Sequence, residues 1–207
     1  MIQRGSRWLK VMIALGAITL GTGCGSPVDV NALNPKPPTI MVAKKLDVPL
    51  YIVLDPTRVK AEYAAPRIDK LLNMQAFVTR DLATLMKEYF SEVKVVSSAS
   101  QAPKEHAVIA DVKVDEFKQE SVTLSGTGYT VLVMTWSFAL RPSDAEDYLF
   151  SFAGIAKSQP KEPSWSAAVT NLLENALTGL LDEWASAGTL NSLKAWSSKS
   201  SAPASRN

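Results

Sequence analysis

The sequence predicts an α+β domain in which a single mixed, mostly antiparallel sheet of about five strands packs on two main helices, in the order β-α-β-β-β-α. Three patterns predict this fold. The first is an apolar run followed by a helical stretch and a second apolar run, the second is a set of three longer segments in which apolar residues alternate, and the third is a final helix with an apolar stripe. The 207 residues are 46% hydrophobic and 20% charged, which suits one domain with its own core.

The first strand, helix and strand form a predicted β-α-β unit. Residues 48–54 are apolar and rich in β-forming side chains, and Asp55-Pro56 closes the run before a loop. Between about Ile68 and Phe90, apolar side chains recur every three or four positions, which predicts an amphipathic helix. Residues 93–96 predict a second strand, parallel to the first because a crossover helix joins them.

An antiparallel meander of three longer strands is predicted next, over residues 106–119, 129–140 and 148–157. In the first, apolar and polar residues alternate over much of its length, so one of its faces is apolar and the other is exposed to water. Its apolar face comprises Val108, Ala110, Val112 and Val114, and its polar face comprises Asp111, Lys113 and Asp115. The second is apolar on both faces and is therefore expected to be central. Turn-forming residues lie at 125–128 and 142–147.

The last main element is a helix that begins after Pro163, with Ser164 as its N-cap, and ends at Gly188. Its apolar stripe comprises Val169, Leu172, Leu173, Ala176, Leu177, Leu180, Leu181 and Trp184. A short helical stretch is expected from Thr189 to Trp196. The Ser-rich residues 197–207 are expected to be disordered.

The N-terminus has the three parts of an export signal in residues 1–23. Three cations precede the apolar run 11–20, and small residues lead to Cys24. Ten apolar residues are too few to cross a hydrocarbon core, which takes roughly 20 in a helix, so a permanent transmembrane anchor is disfavoured. Removal of the three cations lowers the formal net charge from +2 to about −1, which gives no reason to expect nucleic acid as a partner.

Residues 21–24 resemble a lipobox, the processing site of bacterial lipoproteins, with Gly21 standing where a leucine is usual. The resemblance implies cleavage before Cys24 and covalent lipid on that cysteine. Cys24 is the only cysteine, so it has no disulfide partner within the chain. An ordinary secretory signal followed by a chance cysteine is the alternative. By the same resemblance, Gly25 rather than aspartate after the cysteine favours the outer membrane, on its periplasmic face.

The predicted organisation therefore has four parts: signal peptide 1–23, lipidated cysteine and proline-rich tether 24–47, periplasmic α+β domain 48–190, and short helical end with tail 191–207. The tether is expected to be extended because it contains four prolines and few large apolar residues.

Counting of residue types argues against an enzyme. His106 is the only histidine and is expected at the surface, so a Cys/His metal site is excluded, and no G-x-S-x-G supports a Ser/His/Asp triad. Gly126-Thr-Gly128 lacks the third glycine of a dinucleotide loop and is interpreted as a turn. Asp144, Glu146 and Asp147 are interpreted as a solvated hairpin tip rather than a cation site. We expect no catalytic residue, metal or cofactor apart from the covalent lipid.

A set of aromatic side chains from the meander and the last helix has two interpretations. They either form the core between sheet and helices or line a lipid-binding groove. The groove candidates are Trp136, Phe138, Phe150, Phe152, Trp165 and Trp184.

From Cys24 to about Gly188, the order of parts resembles small Gram-negative outer-membrane lipoproteins of the YajG-like type, including the Arg80-Asp81-Leu82 helix opening. The auxiliary lipoproteins of lipid-transporting ABC systems have a comparable layout. These resemblances imply a non-enzymatic accessory or docking subunit of a cell-envelope complex, held at the membrane by its lipid and bound to an envelope protein. A lipid-binding component of an envelope lipid-transport system is the alternative.

Overall fold

The computed structural model describes residues 25–39, 42, 44–65 and 67–200. The predicted signal peptide, Cys24 and the last seven residues lie outside this part of the chain. Its strands are β1 (Val28–Asp29), β2 (Leu46–Val53), β3 (Glu62–Ala65), β4 (Asp69–Leu72), β5 (Phe90–Val96), β6 (Val108–Leu124), β7 (Thr127–Pro142) and β8 (Phe150–Lys157). Its α-helices are α1 (Ala83–Met86), α2 (Trp165–Ser186) and α3 (Thr189–Ser200), with short 3-10 turns at Val30–Ala32 and Ala99–Gln101.

The larger of two sheets has five strands in the order β5-β2-β6-β7-β8. Strand β2 pairs in parallel with β5 and β6, and the remaining pairs are antiparallel. This sheet matches the predicted β-α-β-β-β-α order. The prediction of a single sheet is only partly right, because a second sheet of three strands, β1-β4-β3, lies beside the first.

The small sheet replaces the first part of the predicted helix that starts near Ile68. Asp69 and Asn73 have φ angles of 60° and 58°, in the left-handed region that short polar side chains tolerate and a right-handed helix excludes. Strand β4 therefore forms between them and pairs with β3, which lies inside the predicted loop. Ile68 and Leu71 are buried as the sequence pattern required, but by a hairpin rather than by a helix.

The helical segment begins only at residue 75. Residues Phe77–Leu82 are π-helical, and α1 follows directly at Ala83–Met86. This segment packs Phe77, Leu82 and Leu85 into the core under the five-stranded sheet.

Strands β6 and β7 form a long hairpin whose register runs from Val108 opposite Pro142 to Leu124 opposite Thr127. The two-residue turn has φ angles of 49° at Ser125 and 79° at Gly126, the positive pair typical of a type I′ turn. The turn prediction for this glycine-rich stretch is therefore confirmed. Both strands extend beyond their predicted ends.

Helix α2 begins and ends close to the predicted points. The Ser164 hydroxyl accepts a hydrogen bond of 3.1 Å from the amide of Ala167, as an N-cap does. Gly188 has a φ angle of 62°, which a residue with a side chain adopts at a cost. Residues 197–200, expected to be disordered, continue α3 to Ser200.

The predicted tether is wrong for residues 28–33. Strand β1 pairs with β4, Val28 and Val30 are buried at 5% and 0% exposure, and Leu33 packs on the core. The sequence pattern failed here because two buried valines are too few to form a period, and their burial depends on the unpredicted small sheet. Among the described residues, no helix is both long and apolar enough to cross a membrane.

Candidate functional site

Cys24, the predicted lipidation site, lies outside the described residues, so the structure bears on it through the segment that follows. That segment, residues 25–36, is called here the N-terminal strap. It contacts the small sheet, the π-helical turn and α2. The strap determines where the chain leaves the domain toward the predicted anchor.

The strap begins with a glycine that no other residue could replace without movement. A Cβ atom on Gly25 would lie 1.6 Å from the carbonyl oxygen of Arg67 and 2.9 Å from the Cα atom of Ile68. Both are backbone atoms, so a change of side-chain rotamer cannot relieve either contact. The backbone of Gly25 therefore packs directly on the turn between β3 and β4, which requires the missing side chain.

Asp29 fixes the next part of the strap. Its Oδ1 atom accepts hydrogen bonds of 2.9 Å from the amide of Asn31 and 2.9 Å from the side-chain Nδ2 of Asn73. The first bond caps the 3-10 turn at Val30–Ala32. The second connects this turn to Asn73, the residue that follows β4.

Arg80 and Asp81 hold the strap from the other side. Arg80 donates from Nε to Oδ1 of Asp81 at 2.6 Å and from Nη2 to Oδ2 at 3.0 Å, a bidentate pair. It also donates to the carbonyl oxygens of Asn31 at 3.2 Å and Val30 at 3.3 Å. One guanidinium therefore bridges a carboxylate that is 3% exposed and the backbone of the strap.

The electrostatics of this pair are set by burial. Burial raises the pKa of the Asp81 carboxyl, although the hydrogen bonds and the charge of Arg80 oppose the rise. The Asp81 hydrogen bond raises the pKa of Arg80, which is charged at any physiological pH. Both residues belong to the π-helical turn, a geometry that occurs frequently at functional sites.

The strap has a third contact at its far end. The amide of Lys36 donates a hydrogen bond of 2.8 Å to Oε1 of Glu174 on α2. Contacts at Gly25, at residues 29–31 and at Lys36 thus hold one segment against three different elements. The position of the strap is therefore tied to the small sheet, the π-helical turn and α2 at once.

The six groove candidates lie in the core or at its margin. Trp136, Phe138, Phe150 and Trp184 are each no more than 6% exposed, whereas Phe152 and Trp165 are half-buried. The rings pack on each other: Trp136 lies 5.2 Å from Phe152 and 5.5 Å from Phe77, and Phe150 lies 5.5 Å from Trp184. This is the arrangement expected of a packed core. A lipid groove stays a prediction, and it would require these rings to separate.

His106 is exposed, as expected, and it has a left-handed φ angle of 54°. It lines an open cleft of about 740 Å³ together with Lys104, Glu105, Arg141, Ser143, Asp144, Ala145 and Glu146. The lining includes both cations and carboxylates, and Arg141 Nε forms an ion pair with Asp111 Oδ2 at 3.3 Å. Within the described ranges, no three acidic, histidine or cysteine side chains are grouped closely enough to hold a metal ion.

The sequence interpretation missed the role of Asp81, although a signal was present. Asp81 lies three residues after Val78 and four before Leu85, so it falls on the apolar stripe of the predicted helix. A carboxylate in such a position is expected to be buried and paired. The roles of Gly25 and Asp29 had no comparable signal, because they depend on the small sheet.

No family model matches the sequence, and no curated protein matches it either. Solved structures share its fold at low identity. Protein XCC0632 from Xanthomonas campestris, of family model DUF330, matches with a TM-score of 0.54 and 11% identity over 84% of this chain and 99% of its own. A putative neuraminyllactose-binding hemagglutinin homolog from Helicobacter pylori matches with a TM-score of 0.50 and 13% identity, over 77% and 97% of the two chains.

A minor lipoprotein from Acinetobacter baumannii is more distant, with a TM-score of 0.38 and 11% identity over 68% of this chain and 93% of its own. That likeness is too loose to carry an argument. The two closer matches show that the chain shares an α+β fold with other bacterial proteins. Fold alone does not define function, so the functional argument rests on the chain's own residues.

Proposed function

We propose that this chain is a bacterial lipoprotein, lipidated on Cys24 and held at the periplasmic face of the outer membrane as a non-enzymatic docking subunit of an envelope complex. The observation that carries the proposal is the strap. The residue directly after the predicted lipidation site packs on backbone atoms of the domain, so lipid on Cys24 would hold the folded body close to the membrane rather than on a long tether.

The sequence signal and the strap support each other. An export signal ending in small residues and a single cysteine predicts lipid at one position. Because the strap is packed on the domain from Gly25 onward, a lipid on Cys24 would be coupled directly to β4, the π-helical turn and α2. A cleaved secretory signal alone would give the fixed strap no such role.

Cys24→Ala tests the anchor in the full-length chain. We expect the variant to be exported but soluble and unlabelled by radioactive palmitate, whereas the native chain pellets with membranes and carries label. Thr22→Ala is the matched control, because alanine is also small and should leave processing intact. A Cys24→Ala protein that still pellets with membranes would contradict lipidation at this residue.

A partner surface is proposed along β8, an edge strand of the five-stranded sheet. The outward face of β8 carries Ser151, Ala153 and Ile155, and Ile155 is 61% exposed. The other edge, β5, carries the ion pair of Lys94 and Glu92 at 2.9 Å, and charged side chains discourage strand addition. The one charge on this face of β8 is Lys157 at its end, which pairs with Glu120, and the uncharged stretch before it suits a partner that adds a strand.

Photo-crosslinking tests this surface. A photoreactive amino acid at Ile155 should yield one specific adduct with an envelope protein in intact cells, and the same group at Lys104, on the exposed loop before β6, should not. Equal adducts at both positions, or none at Ile155, would argue against docking along β8.

The structure supports the lipid-transport alternative less than it supports the docking role. The aromatic candidates pack ring against ring in the core, and the open cleft at His106 is lined by charged side chains. Stoichiometric phospholipid in mass spectra of purified protein would favour this alternative over a docking role.

A further inference from the structure

Strands β6 and β7 extend well beyond their neighbours in the five-stranded sheet. Strand β8 ends at Lys157, opposite Val133, and β2 ends at Val53, opposite Asp111. Past these positions the hairpin continues as a two-stranded ribbon to the turn at Ser125 and Gly126. The outer part of this ribbon, residues 121–130, is called here the ribbon tip.

The ribbon tip is uncharged along all its ten residues, Ser-Val-Thr-Leu-Ser-Gly-Thr-Gly-Tyr-Thr. Leu124, beside the turn, is 42% exposed and is one of three large apolar side chains that the described residues expose. Val122 and Tyr129 are paired across the ribbon and are half-buried. The exposed Leu124 and the partly exposed Val122 and Tyr129 share one face of this uncharged projection, and such a patch indicates a contact surface.

The strap and the ribbon tip lie at the same end of the molecule. Gly25 packs on the backbone of Arg67, and Nη1 of Arg67 donates a hydrogen bond of 3.2 Å to Oγ1 of Thr130 at the base of the ribbon tip. Three residue steps separate Thr130 from Thr127 at the turn, or about 10 Å at roughly 3.4 Å per residue. The tip therefore projects about 10 Å beyond Thr130, the residue that Arg67 contacts.

Two cations lie at the base of the ribbon tip. Nζ of Lys161 lies 5.1 Å from the centre of the Tyr129 ring, and Arg67 contacts Thr130. Neither Lys161 nor Arg67 forms an ion pair with a carboxylate of the described residues. Cations at this level could meet lipid phosphates, and tyrosine is enriched where membranes meet water.

We infer that the ribbon tip is a second membrane contact, which inserts Leu124 and Val122 into the interfacial layer of the bilayer that holds the lipid on Cys24. The inference rests on the proposed lipid anchor. Side chains that bind in this way reach about 5–10 Å into the boundary layer, which matches the projection of the tip. The inward-pointing backbone groups of the ribbon are paired up to Leu124 and Thr127, and the interfacial layer supplies water for the turn and for the groups on the two open edges.

Fluorescent labelling of Leu124→Cys in the full-length chain tests the inference. Cys24 is the only native cysteine and lipidation consumes its thiol, so an environment-sensitive dye such as a nitrobenzoxadiazole reacts at position 124 alone. The labelled protein is placed in vesicles of phosphatidylethanolamine and phosphatidylglycerol, with and without a nitroxide-bearing lipid. Asp144→Cys, on the exposed loop between β7 and β8 at the other end of the hairpin, is the matched control.

We expect the dye at position 124 to shift to shorter wavelength in vesicles and to be quenched by the nitroxide lipid, while the dye at position 144 shows neither change. Membrane-bound protein with the same water-like emission at both positions would overturn the ribbon contact and leave the anchor standing. Protein that does not float with vesicles would overturn the anchor, and the inference with it. Circular dichroism of both variants confirms that each is folded.

Discussion

The guanidinium of Arg80 and the carboxylate of Asp81 form a bidentate pair, with distances of 2.6 Å from Nε to Oδ1 and 3.0 Å from Nη2 to Oδ2. Asp81 is buried, whereas Arg80 reaches the surface and donates to the carbonyl oxygens of Val30 and Asn31. Two neighbours in sequence thus connect the core to the strap that follows the predicted lipidation site.

Arg80→Ala should lower the free energy of unfolding by about 1–3 kcal/mol, because it leaves a buried carboxylate and two strap carbonyls without their donor. Urea unfolding measures the change. Arg58→Ala is the control, since Arg58 is half-exposed and its contacts with Asp55 and Asp111 span 4.0 and 3.6 Å. We expect Arg58→Ala to lower the free energy of unfolding by less than about 1 kcal/mol. Equal losses in the two variants would contradict a special role for Arg80.

Gly25→Ala should loosen the start of the strap and β1 while leaving the five-stranded sheet intact. The added Cβ would meet the Arg67 carbonyl oxygen at 1.6 Å, and only displacement of the strap relieves that clash. Hydrogen exchange at the β1 amides should therefore speed up, while exchange in β6 and β7 stays as in the native chain. Gly128→Ala is the control, because a Cβ there meets no described atom within 4 Å. Unchanged protection of β1 in Gly25→Ala would refute the docking of the strap.

The pH dependence of stability offers a test of Asp81. Because burial holds the pKa of its carboxyl above the ordinary value near 4, the folded state takes up a proton at higher pH than the unfolded chain does. The contribution of this group to stability is therefore fully present below the ordinary value and is lost as the pH rises through the folded-state pKa.

Asp81→Asn removes that titration and serves as the reference. The free energy of unfolding of the native chain, minus that of Asp81→Asn, should increase as the pH falls from 7 toward 4. Chemical unfolding at several pH values measures it. A difference that decreases over this range would mean that the ion pair with Arg80 outweighs burial at Asp81.

Much of the large sheet could be predicted from the sequence, because its strands and helix α2 carry full periods of apolar side chains. Val108, Ala110, Val112 and Val114 alternate over a whole strand, and each is no more than 3% exposed. Strand alternation and helical spacing are local properties, so a single sequence reveals them.

The small sheet and the strap could not be predicted in this way. Strand β3 has only four residues, and its Tyr63 is positioned by distant groups: its hydroxyl donates to the Val114 carbonyl at 3.0 Å, and its ring lies 5.1 Å from that of Phe117. Strand β1 has two residues and exists only because β4 is there. Elements this short acquire stability from tertiary contacts, which periodicity does not encode.

Gly179→Ala should stabilise the protein. Gly179 lies inside α2, and a Cβ built there meets no described atom within 4 Å. Alanine in a helix interior is favoured over glycine by about 0.5–1 kcal/mol, because glycine loses more backbone freedom on folding. A rise in the melting temperature by calorimetry would confirm this. A lower melting temperature would mean that a side chain at position 179 obstructs a contact of α2.

Gly154→Ala should instead destabilise the protein, through a single neighbour. A Cβ on Gly154 would lie 2.2 Å from Cζ of Phe152, whose ring packs over the glycine and 5.2 Å from the centre of the Trp136 ring. The Phe152 ring has to leave this position, so we expect the free energy of unfolding to fall by about 1–3 kcal/mol, as in other overpacked sites.

In a Phe152→Ala background the same change should cost almost nothing, because the obstructing ring is absent. A double-mutant cycle by urea unfolding measures the coupling, expected at about 0.5–3 kcal/mol. Additive effects of the two substitutions would show that the strand rather than the ring requires glycine at position 154.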